Sequence, residues 1–215
     1  KDGQYTNAIY GFMNILNSLI ARENPDGVAV AFDLKAPTFR HNMYDAYKAG
    51  RKPMPEELAQ QLPVLKELLN LLGYHCIELA GYEADDILGT LSYAAEQNED
   101  VCVISTGDRD SLQLVSEKVS VRLAKNLNGT MIYTPDTVME EYGVTPKELI
   151  EIKAIQGDTS DNIPGVAGVG EKTACSLIAE YGSIDYIYEH IEELDIKEGV
   201  RAKLIADKDS AYLSR

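Results

Sequence analysis

The stretch GVAVAFD (residues 27–33) is a continuous apolar run that ends in an aspartate. Such a run, with no alternating polar positions, is typical of a strand buried on both faces, as the strands of parallel sheets are. Upstream of it, apolar residues recur at helical spacing from Thr6, a predicted N-cap, to Asn24 and Pro25, which end the helix. The stretch therefore predicts a buried strand that follows an amphipathic helix.

The same alternation continues along the chain. Helical spacing over residues 55–72 precedes a predicted strand at 74–79, and a predicted helix at 83–97 precedes an apolar strand at 101–104. This order of elements predicts an α/β fold with a mainly parallel sheet that helices cover on both faces.

The pattern changes after the first 134 residues, where strand-like runs cease. Thr134 and Thr145, each followed by proline, have the pattern of a helix start, and Glu148 is placed for a capping box with the second. We therefore predict two domains, an α/β domain over 1–134 and a helical lobe over 135–215.

The charge of the chain is unevenly distributed. It carries 20 Lys and Arg against 35 Asp and Glu, a formal charge of −15, which argues against a nucleic-acid partner because phosphate binding depends on basic side chains. The segment 35–52 has the opposite balance, with Lys35, Arg40, Lys48, Arg51 and Lys52 against Asp45. This segment predicts a patch that contacts phosphates, although a solvated helix surface accounts for the charges equally well.

The cysteines and the hydropathy indicate the compartment. The three cysteines, Cys76, Cys102 and Cys175, are odd in number and lack metal-ligand spacing. No run of about 18 apolar residues and no signal-peptide pattern occurs in the sequence. We therefore expect a reducing, cytoplasmic location and no membrane partner.

Acidic residues directly follow the predicted strands. Because ligands of an open parallel sheet bind beyond the carboxyl ends of its strands, these positions are candidates for a functional site. The acids are Asp33 after the first strand, Glu83, Asp85 and Asp86 after the second, Asp108 and Asp110 after the third, and Asp158 and Asp161 in the helical lobe. We predict that these side chains converge on one edge of the sheet.

Carboxylates this dense would repel one another strongly without cations. Mg²⁺ or Mn²⁺, which prefer oxygen ligands, would resolve the repulsion, and the lack of convergent His and Cys disfavours zinc. Two such ions about 4 Å apart could activate water and stabilise the leaving oxygen of a phosphodiester. Each acid alone also has a structural interpretation, as a first-turn residue of a helix or as part of a turn.

A glycine-rich segment, IPGVAGVGEKTA (163–174), connects two predicted helices in the helical lobe. Glycines there let backbone N–H groups approach a phosphate, and the helix that begins near Glu171 presents its positive end. The predicted contacts are Gly165, Gly168, Gly170, Lys172 and Thr173. An ordinary glycine-rich connection would not predict the lysine and threonine at the helix start.

The chain carries five motifs in a fixed order: VAFD (30–33), FRH with YKAGRK (39–52), GYEADD (81–86), GDRD with SLQLV (107–115), and GDTSDNIPGVAGVGEKTA (157–174). Together they resemble the 5′ nuclease or flap endonuclease superfamily and, within it, the 5′-3′ exonuclease domains of bacterial DNA polymerases I. The resemblance implies a Rossmann-like (PIN-like) sheet with a C-terminal helix-hairpin-helix lobe. It also implies a structure-specific 5′ nuclease that removes RNA primers or displaced flaps in replication and repair.

The resemblance implies roles for individual residues. Arg40, Lys48 and Arg51 would lie on or below a helical arch near 36–60 through which a 5′ strand passes, with Lys48 and Arg51 on the scissile phosphate and Tyr47 packed or stacked nearby. Asp33, Glu83 and Asp85 would serve a first metal and its water, Asp108, Asp110 and Asp158 a second, and Asp86 and Asp161 would support them. The hairpin would grip duplex DNA without reading its sequence and hold K⁺ on backbone carbonyls.

The chain departs from the family pattern at its start. The pattern begins with a central strand ending in Asp-Gly, whose aspartate binds the first metal, and this segment is not in the sequence. We expect it upstream, and a noncatalytic branched-DNA-binding module is the alternative. A PIN-like ribonuclease is a further alternative, which the glycine hairpin disfavours. The expected partners are branched or 5′-flap DNA, RNA primer–DNA junctions and a covalently linked polymerase domain.

Overall fold

The computed structural model describes residues 3–124 and 130–215. The chain divides into two compact units, Lys1–Asn42 with Arg51–Ile87, and Met43–Gly50 with Leu88–Arg215. These units do not coincide with the predicted domains 1–134 and 135–215, whose boundary stays a prediction.

The first unit contains two parallel strands and the helices beside them. Its elements are α1 (Asn7–Glu23), β1 (Ala29–Ala31), α2 (Phe39–Met43), α3 (Glu56–Ala59), α4 (Gln61–Leu71), β2 (His75–Ile77) and the first turn of α5 (Ala84–Gln97). Val30 of β1 lies opposite Cys76 of β2. Leu16 on α1 packs with Leu65 and Leu69 on α4 to form the core. The first two predicted strands are confirmed.

The helix predicted over 55–72 is wrong in one respect, because it is two helices, α3 and α4, on either side of Gln60. The cause is Pro63, which lacks the N–H that a continuous helix would direct to the carbonyl of Ala59 and whose ring would clash with that carbonyl. In the first turn of α4 the missing N–H costs nothing, since that turn has no intrahelical acceptors.

The N-terminus of α1 is capped by a residue from another helix. Thr6, the predicted cap, makes no side-chain cap hydrogen bond. Instead, Oε1 of Gln61 accepts from the Ala8 N–H at 2.8 Å, and Nε2 of Gln61 donates to the Glu57 carbonyl at 2.7 Å. Because Gln61 is only 3% exposed, this buried amide fixes the contact between α1 and α4.

We predict that Gln61→Leu destabilises the protein by about 1–3 kcal/mol, because the partly buried Ala8 N–H would be left without an acceptor. The measurement is chemical denaturation monitored by circular dichroism. The matched control is Gln60→Leu on the exposed neighbouring position, which should change the free energy of unfolding by less than about 0.5 kcal/mol. Equal effects of the two substitutions would contradict the capping role of Gln61.

The second unit contains a three-stranded sheet and a helical lobe. Its elements are the rest of α5, β3 (Cys102–Thr106), a 3₁₀ turn (Arg109–Leu114), β4 (Val119–Ala124), β5 (Thr130–Tyr133), α6 (Pro135–Tyr142), a 3₁₀ turn (Pro146–Glu148), α7 (Leu149–Gln156), α8 (Glu171–Tyr181), α9 (Ile184–Glu189), α10 (Glu198–Ala206) and α11 (Lys208–Ser214). β3 pairs in parallel with β4, and β4 pairs antiparallel with β5. With β1–β2 also parallel, the predicted α/β fold with a mainly parallel sheet is confirmed.

The sequence pattern does not predict β4 or β5. Ser120 and Arg122 interrupt the apolar run of β4 (VSVRLA), so that it does not have the pattern of a strand buried on both faces. In the structure Arg122 is nevertheless only 8% exposed, and Val119 and Val121 are buried. The strand is therefore internal despite its polar residues.

The helix starts predicted at Thr134 and Thr145 are confirmed. The Thr134 side chain accepts from the Thr137 N–H, and Glu148 Oε2 accepts from the Thr145 N–H at 2.7 Å. Ile155 of α7, Ile178 of α8 and Leu204 of α10 are buried in the core of the helical lobe. None of the helices formed by residues 3–124 and 130–215 has the length and apolar composition needed to cross a membrane.

Candidate active site

The acids of the first unit meet at the start of α5. Asp33, two residues after β1, accepts from the Ala84 N–H through Oδ1 at 2.7 Å. Asp86 Oδ2 accepts from the Glu83 N–H at 2.9 Å. These carboxylates satisfy N–H groups that a helix leaves without partners at its first turn, and the positive end of the helix stabilises their charge. The structural interpretation of Asp86, as a first-turn residue of a helix, is therefore confirmed.

Arg40 holds the same helix start. Its guanidinium donates to both carboxylate oxygens of Asp86 at 2.8 Å and lies 3.7 Å from Glu83. It also lies over the Phe39 ring, 4.5 Å from the ring centroid. A bidentate pair of this kind fixes the orientation of both side chains. Arg40 thus orients Asp86 and lies beside Glu83, and its predicted contact with DNA stays a prediction.

The acids that follow β3 belong to the second unit. Asp108 Oδ1 accepts from the Asp110 N–H at 2.9 Å, and the Asp108 N–H donates to Thr106 Oγ1 at 3.0 Å. These bonds close the turn predicted for the GDRD segment. They place Asp110 on the first turn of the 3₁₀ helix, where its carboxylate faces Lys153 of α7 at 2.8 Å.

Asp158 organises the loop that follows α7. Its backbone exchanges two hydrogen bonds with Ile163, at 2.9 and 2.7 Å, and its Oδ1 accepts from the N–H and hydroxyl of Ser160. Its Oδ2 accepts from Lys153 at 3.1 Å. Burial opposes ionisation, but the bonds from Ser160 and Lys153 outweigh it and hold the pKa of Asp158 at about 2. The carboxylate is therefore ionised throughout the physiological range.

Lys153, which the sequence reasoning missed, bridges Asp110 and Asp158. Burial raises the pKa of Asp110, and although Lys153 opposes this, the charges of Asp108 and Asp158 add to the increase. Burial also disfavours the charged form of Lys153, but its two carboxylate partners outweigh burial and raise its pKa. The available signal in the sequence was the position of Lys153, one helical turn before the end of a helix that leads into an acidic loop.

We predict that Lys153→Met destabilises the metal-free protein by about 1 kcal/mol, because neighbouring carboxylates lose the cation between them. Saturating Mg²⁺ should recover most of that loss, since a bound cation replaces the missing charge. Thermal unfolding with and without Mg²⁺ measures both effects. Lys147→Met, at an exposed position of the same unit, is the control and should change neither value.

The basic segment contacts the loop that follows α7 (157–162), called the acidic loop below, and the contact is made at Asp161. The Lys48 N–H donates to the Asp161 carbonyl at 2.8 Å, Nζ of Lys48 lies 3.9 Å from Asp161 Oδ2, and the Tyr47 hydroxyl donates to the same oxygen at 3.3 Å. Tyr47 is 6% exposed, so its ring is part of the packing. Arg51, by contrast, is exposed.

The glycine hairpin (163–174) is held by close packing and by hydrogen bonds from several segments. Gly165 approaches Gly157 so closely that a Cβ on Gly165 would lie 2.3 Å from the Gly157 nitrogen. The Gly165 N–H donates to Ser214 Oγ at 2.9 Å, which gives this glycine a packing role in addition to its predicted contact with phosphate. Gly170 caps α8 in an extended conformation, and a Cβ there would meet nothing within 4 Å.

At the remaining hairpin positions, the Ala167 N–H donates to Asp207 at 2.8 Å, and the Gly168 carbonyl accepts from Lys203 at 2.9 Å. Lys172 is exposed and Thr173 half-buried in the first turn of α8. The helix start predicted near Glu171 is confirmed. The contacts of these residues with DNA stay predictions.

The structure thus forms two acid groups, one in each unit. Asp33, Glu83, Asp85 and Asp86 belong to the first unit, and Asp108, Asp110, Asp158 and Asp161 to the second. Within residues 3–124 and 130–215, no group of three or more His, Cys, Asp or Glu side chains is arranged to hold a metal ion. The convergence of all eight carboxylates stays a prediction.

The chemistry of the second acid group fits a divalent cation. Its donors are carboxylate oxygens, which Mg²⁺ and Mn²⁺ prefer, and an ammonium group already lies between Asp110 and Asp158. The pKa of Asp110 is raised by burial and by neighbouring negative charge, so that added positive charge would be favourable there.

Two family models together match residues 1–215 of the chain. Residues 1–143 match the N-terminal resolvase-like domain of 5′-3′ exonucleases, and residues 144–215 match their C-terminal SAM fold. The chain belongs to the 5′-3′ exonuclease family.

Individual proteins agree with the family. DNA polymerase I of Streptococcus pneumoniae is 46% identical over 214 residues, which cover 99% of this chain and 24% of that protein. The chain therefore spans about a quarter of the length of this relative.

Two solved structures share the fold. T5 5′-exonuclease with bound zinc ions has a TM-score of 0.82 at 24% identity and covers 99% of this chain and 80% of its own. The bacteriophage T5 flap endonuclease with DNA and metal ions has a TM-score of 0.80 at 23% identity and covers 100% and 81%.

Proposed function

We propose that this chain is a structure-specific 5′ nuclease that hydrolyses DNA phosphodiesters at branched or 5′-flap substrates with two divalent metal ions. The observation that carries the proposal is the contact of Lys48 with the Asp161 loop. That loop begins at Asp158, whose carboxylate shares Lys153 with Asp110. A cation that can bind a phosphate therefore lies 3.9 Å from the Asp161 carboxylate, in the loop whose Asp158 carboxylate can bind a metal.

The residues divide into three roles. Asp108, Asp110 and Asp158 would hold one ion, with Asp161 in support, and Asp33, Glu83 and Asp85 would hold the other, with Asp86 in support. Bound Mg²⁺ or Mn²⁺ would supply an activated water and neutralise the leaving oxygen. Lys48 and Arg51 would bind the scissile phosphate and stabilise the charge that develops on it. The glycine hairpin with Lys172 would hold the duplex by its backbone.

The comparisons support this proposal at the level of class. The two T5 structures are named for an exonuclease and a flap endonuclease, both with metal ions, and the second also with DNA. The identity of the ions as Mg²⁺, their number, and K⁺ at the hairpin are proposals that rest on the donor chemistry and on the family resemblance. A linked polymerase domain is a proposal as well, in keeping with the DNA polymerase I relative. RNA primer–DNA junctions as substrates are a proposal that rests on the family resemblance, and a cytoplasmic location is one that rests on the cysteine pattern and the hydropathy of the sequence.

Metal removal tests the proposal. EDTA should abolish cleavage of a labelled 5′-flap duplex, and Mg²⁺ or Mn²⁺ should restore it, while flap affinity changes only a few-fold because phosphate contacts position the DNA independently of the metals. The measurements are single-turnover cleavage and fluorescence anisotropy on the intact protein.

The two alternatives give different results in the same assay. Tight flap binding without cleavage in either metal would identify a noncatalytic DNA-binding module. Cleavage of single-stranded RNA with no action on the flap duplex would identify a PIN-like ribonuclease. Either result would overturn the proposed function.

A further inference from the structure

The segment Met43–Gly50 packs with the second unit, although the residues on both sides of it in the sequence belong to the first. Two hydrogen bonds, each to a backbone group of this segment, join it to the acidic loop. The Lys48 N–H donates to the Asp161 carbonyl at 2.8 Å, and Nδ2 of Asn162 donates to the Ala46 carbonyl, also at 2.8 Å. Asp161 and Asn162, which are consecutive in the loop, therefore bind the backbone of Lys48 and of Ala46.

Both sides of this contact have an unusual backbone conformation. Lys48 has a φ of 57° and Asn162 a φ of 58°. Both lie in the left-handed region, which residues other than Gly, Asn and Asp rarely adopt. Asn162 tolerates this conformation, but Lys48 does not do so readily and must be held in it by its surroundings. The contacts with Asp161 and Asn162 provide that restraint.

The restraint determines where the Lys48 ammonium lies. Its Nζ is 4.9 Å from the centroid of the Tyr47 ring and 3.9 Å from Asp161 Oδ2. Asp161 contacts the lysine directly, whereas the Asn162 side chain donates to the Ala46 carbonyl, two residues before Lys48. Asn162 can therefore affect the ammonium only through the conformation of the segment.

We infer that Asn162 is a positioning residue that holds the Met43–Gly50 segment on the acidic loop and so places Lys48 beside the Asp161 carboxylate. The catalytic consequence rests on the proposed function, in which Lys48 binds the scissile phosphate. The structural consequence, a restrained Lys48 backbone, does not depend on it. A change in the conformation of the acidic loop would move Lys48 with it, because both contacts attach to adjacent residues of that loop.

Two substitutions remove the contact without straining the loop. Asn162→Gly retains a residue suited to positive φ and deletes the side chain, and Asn162→Asp retains the shape but removes the N–H donor. Each should lower the single-turnover cleavage rate on the order of 10-fold with flap affinity nearly unchanged, because small displacements of a reacting group are costly. Asn24→Gly and Asn24→Asp are the controls, since Asn24 is also exposed and left-handed, at the end of α1.

A double-mutant cycle separates positioning from a general structural effect. In a Lys48→Ala background, Asn162→Gly should reduce the cleavage rate less than about twofold. The reason is that Asn162 is inferred to act by positioning the Lys48 ammonium, which this background lacks. A near-native rate for Asn162→Gly, or the same loss in both backgrounds, would overturn the inference.

Amide hydrogen exchange at Lys48 gives a readout that does not require activity. Asn162→Gly should accelerate it several-fold while core amides of α7 keep their protection, since local opening exposes only the released segment. If the wild-type protein failed to cleave flaps, the proposed function would fail, and the exchange rate alone would then decide whether Asn162 restrains the segment. Unchanged exchange at Lys48 would overturn the inference whatever the activity.

Discussion

Replacement of Asp110 with Asn is expected to reduce the Mg²⁺-dependent cleavage rate on the order of 10³-fold or more. A neutral amide is a much poorer ligand for a hard divalent cation than a carboxylate, and metal activation of water supplies several kcal/mol of the catalysis proposed here. The substitution keeps the shape of the side chain and an oxygen acceptor for Lys153, which now lies 2.8 Å away. Single-turnover cleavage of a 5′-flap duplex at saturating protein measures the effect.

The matched control for this experiment is Asp136→Asn, which neutralises an exposed acid in the first turn of α6. It changes the net charge equally and should leave the rate within about twofold, as surface substitutions away from a site do. Flap affinity of the Asp110 variant should stay within a few-fold of the wild type, since phosphate contacts position the DNA. A cleavage rate near that of the control would remove Asp110 from the proposed metal site.

Lys48→Ala should lower the single-turnover cleavage rate on the order of 10²-fold, because a preorganised donor that stabilises developing charge is lost. Flap affinity should change far less, since the interaction is strongest in the transition state. Lys48→Met, which removes the charge and keeps an unbranched stem, should resemble Lys48→Ala in rate.

The control for this second experiment is Lys52→Ala, since Lys52 is an exposed member of the same basic segment. If the segment were only a solvated surface, the variants of Lys48 and Lys52 would be alike and close to wild type. A loss of binding as large as the loss of cleavage for Lys48→Ala would contradict a role confined to the transition state.

The sequence was sufficient for elements whose determinants are local. The run at residues 27–33 gave β1, and the proline-marked helix starts at Thr134 and Thr145 are present with their capping contacts. One error arose because a distant residue decided the outcome. Gln61 of α4 replaces Thr6 as the cap of α1, which no local pattern around Thr6 reveals. The break at Gln60 could have been predicted from Pro63.

Some residues of the candidate site could likewise be predicted from local sequence, and others depend on distant partners. Strand-end acids could be predicted from their positions alone, and the turn and first-turn positions of these acids were foreseen as structural alternatives. Lys153 and Asn162 could not be assigned from spacing, because their partners, Asp110 and Ala46, lie 43 and 116 residues away. Such pairings depend on tertiary packing, which periodicity does not encode.

The close approach of Gly157 and Gly165 bears on where a substrate strand would be cut. A side chain at either position would collide with backbone of the other, so the start of the acidic loop and the start of the glycine hairpin lie in direct contact. If the hairpin binds the duplex and the loop carries metal ligands, this contact fixes the distance between the bound duplex and the metal site. The number of nucleotides between the gripped phosphate and the scissile one would then be set by the backbone itself.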